Sequence, residues 1–305
     1  MMKSLVRQVL LNLGYSIHET AWIEQLKRGQ CPHVPPGHFY SPHPDLEEVR
    51  AREESIFSRE KAVLGIDLRE EEQFQTLLKI ADMYPSINFP ESKTPEFRYY
   101  FGNPFYTYSD AIVLHAMLRI IQPHRLIEVG SGFSSAMTLD TNEFYFQNTI
   151  DVTLIEPHPE LLYSLMKPQD KDRITIIASQ LQDLDPSFFE KLEDNDILFI
   201  DSTHVSKVNS DVNFIFFEVL PRLKRGVHIH FHDIFYPFEY IKEWIYQGWT
   251  WQEAYVLRAF LMDNPRYQIT YFQDFMFNRH GQYFAEHLPL CLKNGGANLW
   301  LKKVS

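Results

Sequence analysis

Successive short apolar runs in this chain each end in residues that can carry charge or exchange protons. Glu128 precedes Gly130-Ser131-Gly132, Glu156 precedes Pro157-His158, and Ser179 is followed by Gln180, Leu181 and Asp183. Asp201 precedes Ser202-Thr203-His204, and His232-Asp233 closes the last of these runs. In open parallel sheets, ligands bind beyond the carboxyl ends of the strands, near the point where strand order reverses. Gly130 and Gly132 permit a tight turn and close backbone approach to a ligand. A carboxylate at position 128, at the end of a buried strand, needs a partner, which a cationic or hydroxyl-bearing ligand supplies. Glu156 suits the ribose hydroxyls of a nucleotide-type cofactor. Gln180 and its neighbours suit the flanks of an adenine. Solvated loops explain any one of these residues, but not polar residues at the ends of so many successive strands.

Asp201, His204, His232 and Asp233 form the candidate catalytic group. In VHIHFH (227–232), period-two alternation puts His228, His230 and His232 on one face. His228 reads as a neutral core histidine, whereas His232 and Asp233 stand at the strand's active-site end, opposite the Asp201 loop. Two mechanisms stay open. His204 or His232 is a general base that removes a proton from an acceptor hydroxyl, oriented by a nearby carboxylate. Alternatively, Asp201 and Asp233 hold a divalent ion that binds and acidifies the hydroxyl.

The elements that must position these residues are legible as rhythm. Strand-length runs occur at 125–129, 151–155, 174–178, 196–201 and 227–232, with two more at 268–272 and 297–303. Apolar runs without clean alternation suit strands buried on both faces. The segments between them have room for crossover helices. Ser109 is the expected cap of a helix ending before Pro123, and a long aromatic-rich helical region is expected from Pro237 to about Asn264. The N-terminal part differs. Residues 31–45 are rich in Pro and His and read as an extended loop, and apolar spacing from Leu46 to about Met83 predicts helices broken near Gly65. The fold class is therefore α/β, a doubly wound, mostly parallel sheet behind an N-terminal helical extension. The expected division is 1–98 for the extension, as a lid or substrate region, and 99–305 for the main domain.

With 305 residues, 45% apolar and 23% charged, the chain has the composition of an ordinary globular protein. Its formal charge of −11 argues against a nucleic-acid partner. Its two cysteines, Cys31 and Cys291, fit a reducing compartment. No uncharged apolar run approaches the ~18 residues of a membrane span. Arg7, and the lack of a small-residue cleavage site, argue against reading the N-terminal stretch as a signal peptide. The expectation is a cytoplasmic protein acting on a small-molecule acceptor.

The motifs IEVGSGFSS, LIEPHPE, LFIDSTH, the turn at 220–226 and HIHFHDIF together resemble the ordered motifs of class I S-adenosylmethionine-dependent methyltransferases. The similarity is greatest to bacterial small-molecule and sugar O-methyltransferases and their cephalosporin-hydroxylase-like relatives, and covers about 99–303. It implies a Rossmann-like, seven-stranded sheet whose last strand, GGANLWL (295–301), is antiparallel. It implies S-adenosylmethionine as cofactor, with Glu128 and the Gly130-Ser131-Gly132 turn facing its methionine part. Glu156 would hold the ribose, Gln180 and Leu181 would border the adenine, and Asp201 would lie beside the cofactor. Related metal-dependent sugar enzymes carry acidic residues after the fourth and fifth strands, often as an adjacent pair. Here the pair is His232-Asp233, and imidazole ligands favour a transition metal over magnesium.

Competing readings are weaker. A dinucleotide fingerprint needs a third glycine where Ser135 stands, and Glu128 would repel a pyrophosphate. A metal-dependent hydroxylase or oxygenase on the same fold, and a non-catalytic binding module, are the alternatives in function. Cys31, His33, His38 and His43 match no zinc spacing. The aromatic run Trp244, Tyr246, Trp249, Trp251 and Tyr255 suits either a stacking surface or core packing.

Overall fold

The computed structural model describes residues 34–305, so the reading of the N-terminal stretch, Cys31 and His33 lies outside the described residues. The chain divides into two compact units at Ile56/Phe57. The described part of the first holds helices α1 (Leu46–Ala51) and α2 (Glu53–Ile56). Asp45 starts α1 by accepting hydrogen bonds from the Glu47 and Glu48 amides, which would otherwise lack partners. His38 accepts from the Tyr40 amide at 3.1 Å and stacks on Phe39.

The second unit is built on strands β1 (Arg125–Val129), β2 (Asp151–Ile155), β3 (Thr175–Ile177), β4 (Ile197–Ile200), β5 (His228–His232), β6 (Tyr267–Phe272) and β7 (Asn298–Lys303). The seven-stranded sheet has the order β3-β2-β1-β4-β5-β7-β6. Strands β1 to β5 pair in parallel, and β7 runs antiparallel between β5 and β6. This is the expected doubly wound class, and strand order reverses between β1 and β4. Every residue of β4 and β5 is buried, which is why their sequences lack the alternation of a half-exposed strand.

The helices of this unit are α3 (Glu70–Met83), α4 (Tyr108–Ile121), α5 (Phe133–Phe146), α6 (Glu160–Leu165), α7 (Asp211–Phe214), α8 (Lys242–Tyr246), α9 (Glu253–Leu261), α10 (Gln273–Arg279) and α11 (Gly281–His287). Three details differ from expectation. Ser109 lies inside α4 rather than capping it; its hydroxyl donates to the Cys291 carbonyl, and the cap position is Thr107. The β3–β4 connection carries only short 3-10 turns at 181–183 and 186–191. The region after Pro237 is two short helices, not one long one. Gly248, at φ 87°, reverses the chain between them.

Residues 57–98 are part of the second unit. Helix α3 buries Gln73, Leu77 and Ile80, one face at helical spacing, and the Gln73 side-chain oxygen accepts from the Phe272 amide of β6 at 2.6 Å. The expected division at 98/99 falls on a buried clamp. Arg98 bonds Asp170 through two nitrogens, at 2.7 and 2.5 Å, and Asp140 at 2.7 Å. Asp140 also accepts from the Arg98 and Tyr99 amides, each at 2.8 Å. Replacing Arg98 leaves two buried carboxylates without their cation, so Arg98→Ala should cost about 3–5 kcal/mol of stability. A denaturant midpoint equal to that of the wild type would contradict this role.

Candidate active site

The site begins with a backbone constraint between β1 and β4. The Asp201 amide donates to the Val129 carbonyl at 2.9 Å, and the Gly130 amide to the Ile155 carbonyl of β2 at 2.9 Å. Gly130 has φ 82°, and a Cβ there would lie 1.7 Å from the Asp201 carbonyl oxygen. Only glycine fits, and the neighbouring strand alone demands it. Gly132 differs, since a Cβ there would make ordinary contact with Leu161 at 3.5 Å.

Glu156 braces the same turn. One carboxylate oxygen accepts from the Ser131 amide at 3.1 Å and the other from the His158 amide at 2.8 Å. A cavity of ≈ 520 Å³ opens beside it, lined among others by Glu156, Gln180, Leu181, Asp201 and Val208. Val208 is 95% exposed, an apolar side chain left for something to cover. Ser131 and Gly132 do not line this cavity, although Gly130 does.

Glu128 is fully buried. One oxygen accepts from the Ser134 hydroxyl at 2.5 Å, and the other has no partner among the described residues. Burial pushes its carboxyl up to about 8, against the hydrogen bonds from Ser134 and Ser135. The Tyr106 hydroxyl is also buried with no hydrogen-bond partner among the described residues, and its ring packs 4.9 Å from that of His232.

Beyond Asp201 lies the second half of the site. Because β4 and β5 are parallel neighbours, Asp201 and Asp233 emerge at the same edge. His204, buried and at φ 59°, points between them, its Nε2 standing 3.5 Å from Asp201 Oδ1 and 3.5 Å from Asp233 Oδ2. Its Nδ1 is 2.7 Å from Glu253 Oε2. Burial opposes charge on His204, but Asp201, Glu253 and Asp233 outweigh it and hold the imidazole protonated well above its ordinary range. Burial likewise opposes charge on Asp201, yet His232 and His204 hold that carboxyl at about 2. Burial pushes Asp233 up to about 6, against the pull of the same two histidines.

The histidines of β5 separate by depth. His228 and His230 are driven neutral by burial, His228 to about 4. His230 finds no hydrogen bond among the described residues; it stacks on Phe199 at 3.9 Å and meets Trp300 edge-on. Both are thus buried, neutral histidines, and at His230 ring packing stands in place of polar partners. His232 is raised instead: Asp233, Asp201 and Asp110 overcome burial, and its Nε2 lies 3.4 Å from Asp233.

The structure brings Asp201, His204, His232 and Asp233 together and sets Glu156, Gln180 and Leu181 around the adjoining cavity. Asp201 belongs to both halves. Sequence reasoning missed Glu253 and Tyr106. Glu253 opens α9, where an acid in the first turn passes for a solvated one. Of the aromatic run, Trp244, Trp249 and Trp251 pack on one another, and Trp251 reaches His204 at 4.4 Å.

Residues 127–234 match the methyltransferase domain family. A protein of Archaeoglobus fulgidus, itself described only as uncharacterized, is 40% identical over 169 residues, which are 53% of this chain and 74% of that protein. The chain thus carries a methyltransferase domain that runs from within β1 to just past β5. Among solved structures it is similar to the methyltransferase PaMTH1 of Podospora anserina bound to S-adenosylhomocysteine (14% identity, 90% and 100% of the two chains, TM-score 0.41). It is also similar to the O-methyltransferase TomG of Streptomyces achromogenes (13%, 85% and 96%, TM-score 0.43). Likenesses this distant carry no argument; the matched domain does. Among the described residues, no helix is long and apolar enough to cross a membrane.

Glu128 yields a test of the site's electrostatics in the ligand-free protein. Its folded-state pKa lies above its unfolded value, so between about 4.5 and 8 the folded chain holds a proton that the unfolded chain has lost. Stability from this residue is full below that window and falls as pH rises through it. Glu128→Gln should flatten that fall, so the variant gains on the wild type from pH 5 to pH 9 in denaturant midpoints. Parallel curves would show that Glu128 is not held in this state.

Proposed function

We propose that the protein transfers the methyl group of S-adenosylmethionine to a hydroxyl oxygen of a small hydroxylated metabolite or sugar. The observation that carries this is the double role of Asp201, which borders the ≈ 520 Å³ cavity and also faces the His204–Asp233 centre. The matched methyltransferase domain favours methyl transfer over the oxygenase and dehydrogenase alternatives.

In this reading the cavity takes the adenosine part. Glu156, with Gln180 and Leu181, meets the ribose and base, and the unpartnered oxygen of Glu128 receives the ammonium of the methionine part beside the Gly130-Ser131-Gly132 turn. When bound, the cofactor supplies an electrophilic methyl group on a positively charged sulfur. The chain's task is then positioning: the acceptor oxygen must sit in line with methyl and sulfur at near-attack distance.

Asp201, His204, His232 and Asp233 bind and orient the acceptor hydroxyl; with both imidazoles held toward their charged forms, Asp233, at about 6, is the group suited to take its proton. Asp201, His204 and Asp233 each present a ligand atom within 4.8 Å of the others, a donor set that fits a divalent ion. Such an ion, when bound, acidifies the hydroxyl and takes over the charge that the His204 proton otherwise balances. A nitrogen beside two carboxylates favours a transition metal over magnesium. Acceptor choice falls to the segment after Pro237, whose Trp251 touches His204.

Two experiments test this reading. S-adenosylhomocysteine at ~100 times its dissociation constant should stabilise the fold by about 2.7 kcal/mol, and NADH should not. In calorimetric titration Glu156→Ala should lose roughly ten- to a hundredfold in affinity, the worth of charged hydrogen bonds. A melting shift with NADH alone would overturn the cofactor assignment. On an acceptor found by screening phenols, alcohols and sugars, Asp201→Ala and Asp233→Ala should lower turnover by ~10²–10⁴-fold. They should weaken S-adenosylhomocysteine binding far less; near-wild-type turnover in both would make the cluster structural.

A further inference from the structure

We infer that Glu253 is a positioning residue for this centre, fixing the His204 ring so that Nε2, and not Nδ1, faces Asp201 and Asp233. The inference rests on the methyl-transfer reading only for what the centre does; the geometry stands independently.

His204 is gripped at three places by the segment that opens α9. The amides of Gln252 and Glu253 both donate to its carbonyl, at 3.0 and 3.1 Å. The Glu253 carboxylate reaches Nδ1 at 2.7 Å. The Trp251 ring packs against the imidazole at a centroid distance of 4.4 Å. The backbone grip holds a left-handed residue where a loop would otherwise relax, and the carboxylate then sets the ring's rotation.

The distances around the ring are unequal in an informative way. The Nδ1 contact has the length of a charge-assisted hydrogen bond, whereas both Nε2 contacts, at 3.5 Å, are too long for one. Nε2 therefore faces its two carboxylates without a close hydrogen bond to either, placed to donate its proton to an acceptor oxygen or, once deprotonated, to meet an ion.

Glu253 has no other evident duty. It is fully buried, its second oxygen has no partner, and the His204 ring is the one hydrogen-bond partner of its carboxylate among the described residues. A buried carboxylate is a poor way to stabilise a fold, since an apolar side chain of equal size packs there without desolvation cost. It is an effective way to choose which nitrogen of a histidine faces a reacting group.

The test uses the whole chain labelled with ¹⁵N-histidine, with His204→Gln assigning the resonance. Long-range ¹H–¹⁵N spectra should show His204 carrying a hydrogen-bonded proton on Nδ1. Glu253→Leu should abolish that signal and lower kcat by about 10- to 100-fold, with KM for S-adenosylmethionine unchanged. Glu253→Gln, which keeps an acceptor oxygen and the side-chain volume, should retain the signal, lose less activity and serve if the leucine variant fails to fold. A wild-type His204 without a hydrogen-bonded proton on Nδ1 would overturn the proposal. So would a folded Glu253→Leu, or a Glu253→Gln that has lost the signal, turning over at the wild-type rate. If the signals behave as expected but the wild type methylates no acceptor, the positioning role stands and the methyl-transfer reading falls.

Discussion

The site depends on one backbone contact, the packing of the Asp201 carbonyl against Gly130. It brings the end of β4 so close to the end of β1 that a single methyl group at 130 would not fit. With the Asp201 amide bonded to Val129, this fixes the peptide on both sides of the reversal in strand order. The Asp201 side chain is thereby committed to the line between the cavity beside Glu156 and the centre around His204. The parallel pairing of β4 with β5 then delivers Asp233 to the same edge.

Charge is distributed unevenly along that line. Near the glycine turn the carboxylates are engaged or protonated: Glu156 accepts from two amides, and Glu128 is pushed by burial toward its neutral form. Around His204, Asp201, Asp233 and Glu253 surround one imidazole, with His232 beside Asp233 as a second counter-charge. A positively charged sulfur, a proton or a metal ion all lower the energy of such an arrangement. One end of the site is prepared to hold a ligand and the other to attract and move positive charge.

Much of this was readable from residue order because parallel sheets place their chemistry at strand ends. The strands from β1 to β5, the glycine turn, Glu128, Glu156, Asp201 and Asp233 are all local in sequence to an apolar run. What escaped is non-local. Glu253 meets His204 across 49 residues, and the partners of Arg98 at the expected domain boundary, Asp140 and Asp170, lie 42 and 72 residues away. Helix existence was legible from periodicity, but termini were not. Ser109 looks like a cap by type, yet its hydroxyl is claimed by the Cys291 carbonyl 182 residues on. The β3–β4 connection, with room for a crossover helix, holds only two short turns, the second begun by Pro186 at its first position.

The central claim is that a single site runs from Glu128 and the Glu156 cavity to the Asp201–His204–Asp233 centre, with the transferred group at the junction. A crystal structure of the S-adenosylhomocysteine complex tests it most directly. The account predicts adenosine between Glu156 and Leu181, the amino group of the homocysteine part on the free oxygen of Glu128, and the sulfur directed toward Asp201 and His204. Adenosine lying against His204, or the ligand bound away from the Glu156 cavity, would contradict it.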